Sequence, residues 1–356
     1  MKIALIADTH FGIRGDAQVM LDYQQKFFDN VFFPYLDQHK IEHIIHLGDL
    51  VDRRKYINFN TARKMREMFL DKIGYGRANL YCDIIVGNHD VTYKNTNDLN
   101  ALQELVKNRY HNINIYERPC ERYLADTTLC YLPWITADNR EETFEILNKT
   151  KCQVAFGHLE LQGFLNNDGV ASEFGDDPKL FQKFDQVYTG HYHTRIAKDN
   201  ILYVGCPYQM TWADYANDKG FHIFDTETRK VEFIKNPHQL FTKLNYNDDK
   251  HNLEQLKKQV KESDVKDAYV KIIIEEKTDP YTFDRYLAHI EKLAPFDLKV
   301  VESKSLMLYD TDISQAEDTL TILKKSIPLL DVAVDKEELE RVVVDLFKRA
   351  NQIELQ

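Results

Sequence analysis

Five short motifs hold the residues able to do chemistry. They are Asp8-Thr9-His10, Gly48-Asp49-Leu50-Val51-Asp52, Gly87-Asn88-His89-Asp90, Gly157-His158 and Gly190-His191-Tyr192-His193. Their polar groups are carboxylates, an amide and imidazoles, with no thiolate among them. That mix of oxygen and nitrogen donors suits manganese or iron better than structural zinc. Asp8, His10, Asp49, Asn88, His158, His191 and His193 are too many groups for one six-coordinate ion that keeps water positions open. They are enough for two ions that share a carboxylate, and Asp49, in the middle of the set, is the expected bridge. Two ions roughly 3.5–4 Å apart can clamp a phosphate, lower the pKa of a water between them and stabilise in-line displacement. Taken singly, an Asp or a His after a strand is an ordinary turn residue or a solvated group. The joint occurrence, in this order, is what argues for a metal centre.

The elements that must position these residues are short apolar runs. Residues 2–7, 43–47, 80–86, 153–156, 186–189 and 201–204 read as strands, and each of the first five runs directly into a motif. In α/β sheets, sites form at the carboxyl ends of strands, so five strands would deliver their ligands to one edge. Gly48, Gly87, Gly157 and Gly190 stand directly before ligand-bearing turns, where tight backbone geometry is expected. Between the first two runs, Met20, Phe27, Val31 and Leu36 recur at roughly helical spacing. Residues 60–73 read as a second helix with Ala62, Met65, Met68 and Phe69 on one face, an apolar face open to a partner copy. This alternation predicts an α/β layered domain.

The rest of the chain is organised differently. Residues 236–252 are polar, contain Pro237 and read as a connection. A strand at 269–274, a helix at 281–293 closed by Pro295, and a strand at 298–301 form a βαβ pattern, expected to be a small second domain. Further on, Ser314-Gln-Ala-Glu317 is a capping box, opening a helix with Ala316, Leu320 and Leu323 on one face. Asp335 opens another, with Leu339, Val342, Val343, Leu346 and Phe347 on its stripe. From the pattern alone, this hairpin either packs on its own domain or docks into a partner. The expected boundaries are 1–236, 237–303 and 304–356.

Bulk properties set limits. A chain of 356 residues fits about two domains. No apolar run approaches the roughly 18 residues of a membrane helix, and the first run is too short for a signal-peptide core, so a cytoplasmic location is expected. The five cysteines are widely spaced without a C-x-x-C pair, which argues for reduced, buried thiols. The net charge of −11 argues against a free-standing basic nucleic-acid binder. It leaves room for a nucleic-acid enzyme, because bound cations reverse the potential locally and a partner can supply basic surface. Arg53-Arg54-Lys55 and Thr92-Tyr93-Lys94 follow metal motifs and read either as phosphate contacts or as solvated loop charges. His39, His43, His46, His111, His222, His238, His251 and His289 lack such context and read as surface or core histidines.

These motifs resemble the calcineurin-like metallophosphoesterases, and among them the SbcD-type DNA nucleases, which include nuclease subunits of phage recombination endonucleases. The resemblance extends through Leu132-Pro133-Trp134, Gly157 to Gly163, Gly205-Cys206-Pro207 and Lys219 to Thr228, and covers nearly the whole chain. It implies a sandwich of two mixed sheets flanked by helices, a βαβ capping domain that shapes a DNA groove, and a C-terminal hairpin that grips an SbcC-type, SMC-like ATPase. It implies two Mn2+ ions, with Mg2+ as the substitute. Asp8, His10, Asp49 and His193 would hold one ion; Asp49, Asn88, His158 and His191 would hold the other. His89 would contact the phosphate and help protonate the leaving oxygen, with Asp52 orienting it. A homodimer built from helices near the second motif is also implied, as is manganese-dependent exo- and endonuclease activity in DNA recombination, repair and replication. Two rival readings remain. Gly48 to Arg53 echoes a phosphatase motif, so a protein phosphatase or cyclic-nucleotide phosphodiesterase is the alternative, although Asp90 stands where phosphatases carry Glu. A non-cleaving scaffold would lack ligands, and here every motif position is filled.

Overall fold

The computed structural model describes residues 1–302 apart from 78, 125–126 and 166–170, and beyond them 327, 335–336 and 338–343. Two six-stranded sheets dominate. The first contains β1 (Lys2–Ile6), β2 (His43–His46), β3 (Tyr81–Ile85), β4 (Ile113–Tyr116), β11 (Gly220–Asp225) and β12 (Val231–Lys235). Its spatial order is β12-β11-β1-β2-β3-β4, parallel from β1 to β4 and antiparallel at β11 and β12. The second contains β5 (Cys120–Leu124), β6 (Thr127–Leu132), β7 (Val154–His158), β8 (Gln186–Gly190), β9 (Ile196–Lys198) and β10 (Ile201–Tyr203), in the order β5-β6-β7-β8-β10-β9. Its centre is parallel and its two outer strands antiparallel.

Side-chain alternation explains the layering. On β1, Ile3 and Leu5 join Ile45, Leu47, Tyr131, Val154 and Phe156 in the core between the sheets. Ala4 and Ile6 face the other way, toward Phe27, Phe28, Met65 and Phe69 on the helical layer. The period of two along a strand splits its residues between these cores. A third core lies behind the second sheet, where Ala155, Val187 and Tyr203 meet Leu147, Phe181 and Phe184. The result is the expected sandwich of two mixed sheets between helical layers.

Three sequence expectations change. The apolar face of 60–73 is not available to a partner copy. Met65, Met68 and Phe69 are each no more than 2% exposed and close the core over the first sheet. The predicted connection holds a strand, β13 (Phe241–Asn247), paired in parallel with β14 (Tyr269–Glu276). The βαβ unit is therefore a three-stranded parallel sheet, β13-β14-β15, with β15 at Asp297–Glu302 and a helix at Pro280–Lys292. Asp279 caps that helix, accepting from the N–H groups of Tyr281 and Thr282. Tyr246, Val270, Ile272, Phe283, Tyr286 and Ile290 form its own core.

Of the predicted hairpin, the first helix (Ala316, Leu320, Leu323) and the end of the second (Leu346, Phe347) lie outside the described residues. Residues 338–343 are helical, with the Leu339 N–H bonded to the Asp335 carbonyl. Among the described residues, no helix is long and apolar enough to cross a membrane.

Candidate metal centre

The ligand-bearing turns come from both sheets. Asp8 and His10 follow β1, Asp49 follows β2 and Asn88 follows β3, all on the first sheet. His158 ends β7, and His191 and His193 follow β8 on the second. The site lies where the carboxyl edges of the two sheets meet, and its residues are buried or nearly so.

The backbone at these turns is strained. Asp8 (φ 53°), His10 (φ 43°), Asp49 (φ 55°) and His191 (φ 94°) all adopt left-handed conformations, which non-glycine residues rarely do. Each such residue costs about 1 kcal/mol or more and persists only where its surroundings enforce it. The enforcement is visible. Asp8 N–H bonds to Gly48 O at 3.0 Å, His10 N–H to Asp49 O at 3.1 Å and Phe11 N–H to Leu50 O at 2.9 Å. These bonds lace the first two motifs together. Asp90 then ties the second motif to the third. Its buried carboxylate accepts from the N–H groups of Gly87, Asp49, Leu50 and Val51 at 2.9–3.2 Å. Sequence reasoning gave Asp90 no such role, because nothing in a linear motif shows where four main-chain N–H groups will point.

The side chains converge in two groups around Asp49. Its Oδ2 lies 3.7 Å from His10 Nε2 and 3.4 Å from His158 Nε2. On one side, His10 Nε2 and His193 Nε2 approach to 3.1 Å, with Asp8 completing a cluster. On the other side, Asn88 Oδ1 is 2.8 Å from His158 Nε2 and 3.0 Å from His191 Nδ1. Asp8, Asp49 and His158 form a cluster across the middle. His158 Nδ1 donates to Leu47 O at 2.8 Å, which turns its other nitrogen toward Asn88 and Asp49. Both oxygens of Asp8 accept from the His191 N–H.

The protonation pattern fits a site that wants positive charge. Burial opposes ionisation of Asp49, yet His158, His89 and His10 hold it well below the usual carboxylate range. Burial also works against charge on His10 and His158, but neighbouring carboxylates lift both to about 9: Asp52 and Asp49 for His10, Asp49 and Asp8 for His158. Burial lifts Asp8 to about 7. Burial and the nearby His158 push His191 down to about 3.

His89 lies beside the centre, grouped with His10 and Asp52. Its N–H binds Asp49 Oδ1 at 2.7 Å, and its ring lies edge-on to His10, 4.7 Å between centroids. Its Nδ1 donates to the main-chain carbonyl of Asp52 at 2.6 Å. The expected carboxylate–imidazole pairing is not made. The Asp52 carboxylate instead lies 3.5 Å from His10 Nδ1.

Other contacts escaped the sequence reading. The ring of Trp134 lies 5.2 Å from His191 and 6.0 Å from His158, walling one side of the site. The buried Lys219 ammonium pairs with Asp214 and binds His193 O at 2.8 Å, fixing the last turn from behind. Buried His46 pairs with Thr9 Oγ1 at 3.0 Å and belongs to the support of the first motif. Gly48 and Gly87 are required by space. A Cβ at Gly48 would lie 2.3 Å from His158 Nδ1, and one at Gly87 would lie 2.3 Å from the Asp49 N and Oδ1.

The donors therefore suit divalent metal ions. Oxygen and imidazole groups face one another on both sides of the Asp49 carboxylate, a setting that favours positive charge.

Comparison with known proteins gives a consistent outcome. Residues 1–195 match the model of the calcineurin-like phosphoesterase family, a span that contains all five motifs. Exonuclease subunit 1 of Enterobacteria phage T4 is 28% identical over 360 residues, covering 99% of this chain and 100% of that protein. Among solved structures, a novel archaeal phosphodiesterase is 14% identical, covering 66% of this chain and all of its own, with a TM-score of 0.33. A protein of unknown function from Aquifex aeolicus is 18% identical, covering 46% of this chain and 79% of its own, with a TM-score of 0.25. At those TM-scores neither structure bears on the fold.

Proposed function

The chain belongs to the calcineurin-like phosphoesterase family, and on that premise we propose that it is the nuclease subunit of a DNA-processing complex, hydrolysing phosphodiester bonds at two manganese ions. The observation that carries this reading is the position of Asp49 Oδ2, within 3.7 Å of a nitrogen from each of two histidines that belong to different clusters. Asp8, His10, Asp49 and His193 would hold one cation; Asp49, Asn88, His158 and His191 would hold the other. When bound, such ions supply the positive charge that draws in a phosphate and makes water a competent nucleophile at neutral pH.

The remaining residues act on the substrate and on the frame. His89 donates through Nδ1 to Asp52 O, so its Nε2 is the nitrogen left to meet an ester oxygen and shuttle a proton. Trp134 excludes water from one wall. Asp90 and Lys219 hold the turns that carry Asp49 and His193.

DNA as substrate is supported by similarity along the full length to the T4 exonuclease subunit. That relative is a subunit, which supports a complex; to this we add an SMC-like ATPase as the partner and the C-terminal segment as its docking site. A homodimer remains part of the reading, but its apolar contact must lie elsewhere than Met65 and Phe69. Tyr56 and Phe59, 66% and 93% exposed just before and at the start of that helix, are the rings available for it. The deciding experiment is digestion of end-labelled linear duplex with manganese, with and without the ATPase, run beside a phosphopeptide and a cyclic nucleotide. Release of labelled nucleotides from duplex supports the nuclease reading. Hydrolysis of the phosphopeptide or cyclic nucleotide with intact duplex supports the phosphatase or cyclic-nucleotide phosphodiesterase alternative.

A further inference from the structure

Basic residues 53–55 follow the second motif, and the structure separates their fates. Arg53 is committed to the scaffold. Its Nη1 donates to Asp16 Oδ2 at 2.8 Å, Asp16 also accepts from Thr61 Oγ1 at 2.7 Å, and the guanidinium lies 5.1 Å from the Tyr56 ring centre. Lys55 is exposed to solvent. Arg54 differs from both. It is half-buried, and among the described residues its guanidinium has no hydrogen-bond or ion-pair partner. A cation taken partly out of water without a partner is unfavourable, so its place calls for an anion that the folded chain does not supply.

The backbone around Arg54 sets where that anion would be. Two residues earlier, Asp52 O accepts from His89 Nδ1 at 2.6 Å. At Arg54 itself, the carbonyl accepts from Thr92 Oγ1 at 3.2 Å. The third-motif loop thus grips the segment 52–54 on both sides of its turn. That holds the backbone of Arg54 on the segment to which His89 itself is bonded, close enough to the metal centre for the charge of Asp49 to act on its guanidinium.

We propose that Arg54 is the phosphate-binding residue of this centre, receiving the non-bridging oxygens of the ester phosphate beside His89. A guanidinium suits the task because its planar fork meets two phosphate oxygens at once and it stays charged at any working pH. In a chain of net charge −11 it also gives an incoming polyanion a fixed cation that does not depend on metal loading. This inference rests on the phosphodiesterase part of the functional reading, not on DNA as the substrate.

The test uses the full chain loaded with manganese and two small probes, bis(p-nitrophenyl) phosphate as substrate and inorganic phosphate as competitor. Arg54→Ala should lower kcat/KM about 10- to 100-fold and weaken phosphate inhibition by a similar factor. Arg54→Lys should recover part of both, because it restores charge without the fork. Metal content and melting temperature should match the parent in both variants. Arg53→Ala should do the reverse, lowering the melting temperature while leaving phosphate inhibition in place. Unchanged phosphate inhibition in Arg54→Ala, or transfer of the loss to Arg53→Ala, overturns the proposal. Loss of metal or of melting temperature in Arg54→Ala overturns it too, by making the residue structural. Hydrolysis of the small diester without cleavage of duplex removes the DNA reading and leaves the role of Arg54 standing.

Discussion

His89 and Asp52 meet through the main chain: the imidazole Nδ1 donates to the Asp52 carbonyl oxygen at 2.6 Å, while the Asp52 carboxylate lies 3.5 Å from His10 Nδ1. The two residues of one expected pair thus serve different ends. His89→Ala should cut phosphodiester turnover at least about 100-fold, the scale of a lost general acid, with manganese content intact. Asp52→Asn keeps the carbonyl and with it the orientation of His89. Its effect should fall on His10, appearing as weaker manganese retention and a smaller loss of rate at saturating metal. Metal content by emission spectroscopy beside single-turnover rates separates the two. If Asp52→Asn shows the rate loss of His89→Ala at full metal occupancy, this division of labour is wrong.

Gly48 has φ 96°, and a Cβ there would lie 2.3 Å from His158 Nδ1 and 2.9 Å from Gly87 Cα. Gly48→Ala must therefore push His158 off its 2.8 Å hydrogen bond to Leu47 O. The left-handed backbone adds its own penalty. Together these should destabilise the fold by about 3 kcal/mol or more and abolish metal retention, read by thermal denaturation and metal analysis. Gly163 also has positive φ (76°), but there a Cβ would meet only the end of Lys198 at 3.5 Å. Gly163→Ala should cost about 1 kcal/mol and leave metal content unchanged. Equal effects at the two positions would remove the steric argument.

The contrast shows what the sequence could and could not reveal. Strands such as β1, β2, β3 and β7 were legible because both faces are buried, so they read as near-continuous apolar runs. The motifs were legible because ligand chemistry is unusual at the ends of five strands, β1, β2, β3, β7 and β8. Cys120–Leu124 and Phe241–Asn247 were not, since polar residues such as Glu121, Arg122, Lys243 and Asn245 break any apolar run. The first takes its strand state from its hairpin partner Thr127–Leu132, the second from Tyr269–Glu276 farther along the chain. The helix at 60–73 was placed correctly, but its face was misjudged. A π-helical segment at Arg66–Leu70 inserts a wider turn, and a similar one at Phe28–Phe32 brings Phe28 to 5.2 Å from Phe69. Amphipathic spacing shows that a face is apolar; it does not show what covers it.

Asp83 anchors a second polar network, remote in the strands from the metal turns. Its fully buried carboxylate accepts from Tyr131 OH at 2.9 Å, Asn114 Nδ2 at 2.9 Å, His43 Nε2 at 3.2 Å and Arg122 Nε at 3.4 Å. Burial opposes its ionisation, but the bonds from His43 and Asn114 and the charge of Arg122 prevail and hold its pKa below the usual value. A carboxyl depressed on folding contributes stability that is present above its unfolded pKa of about 4 and is lost as pH falls through the folded value. Asp83→Asn should therefore cost about 3 kcal/mol at pH 7 and flatten the fall in stability below about pH 4. Denaturant melts across pH 2.5–7 measure this. An acid limb as steep in Asp83→Asn as in the parent would assign the acid sensitivity to other carboxylates.

Metal removal should be felt by the whole fold, because the centre joins the edges of both sheets. Asp8, Asp49 and Asn88 come from the first sheet and His158, His191 and His193 from the second. Burial, with Asp49 nearby, holds Asp8 up at about 7, and neighbouring carboxylates lift His10 and His158 to about 9 against their burial. A ligand that binds only the folded state stabilises it by about 2.7 kcal/mol at a hundred times its dissociation constant. For a chain of this size that is a rise of roughly 4 °C in melting temperature. Chelation should lower the melting temperature and manganese should restore it. Asp49→Ala should abolish the manganese response, since Asp49 Oδ2 faces His10 on one side and His158 on the other. His89→Ala should keep the response in full, because His89 bonds to Asp49 through its main-chain N–H, which the substitution preserves. A manganese response that survives in Asp49→Ala at its full size would rule out Asp49 as the residue on which both sides of the centre depend.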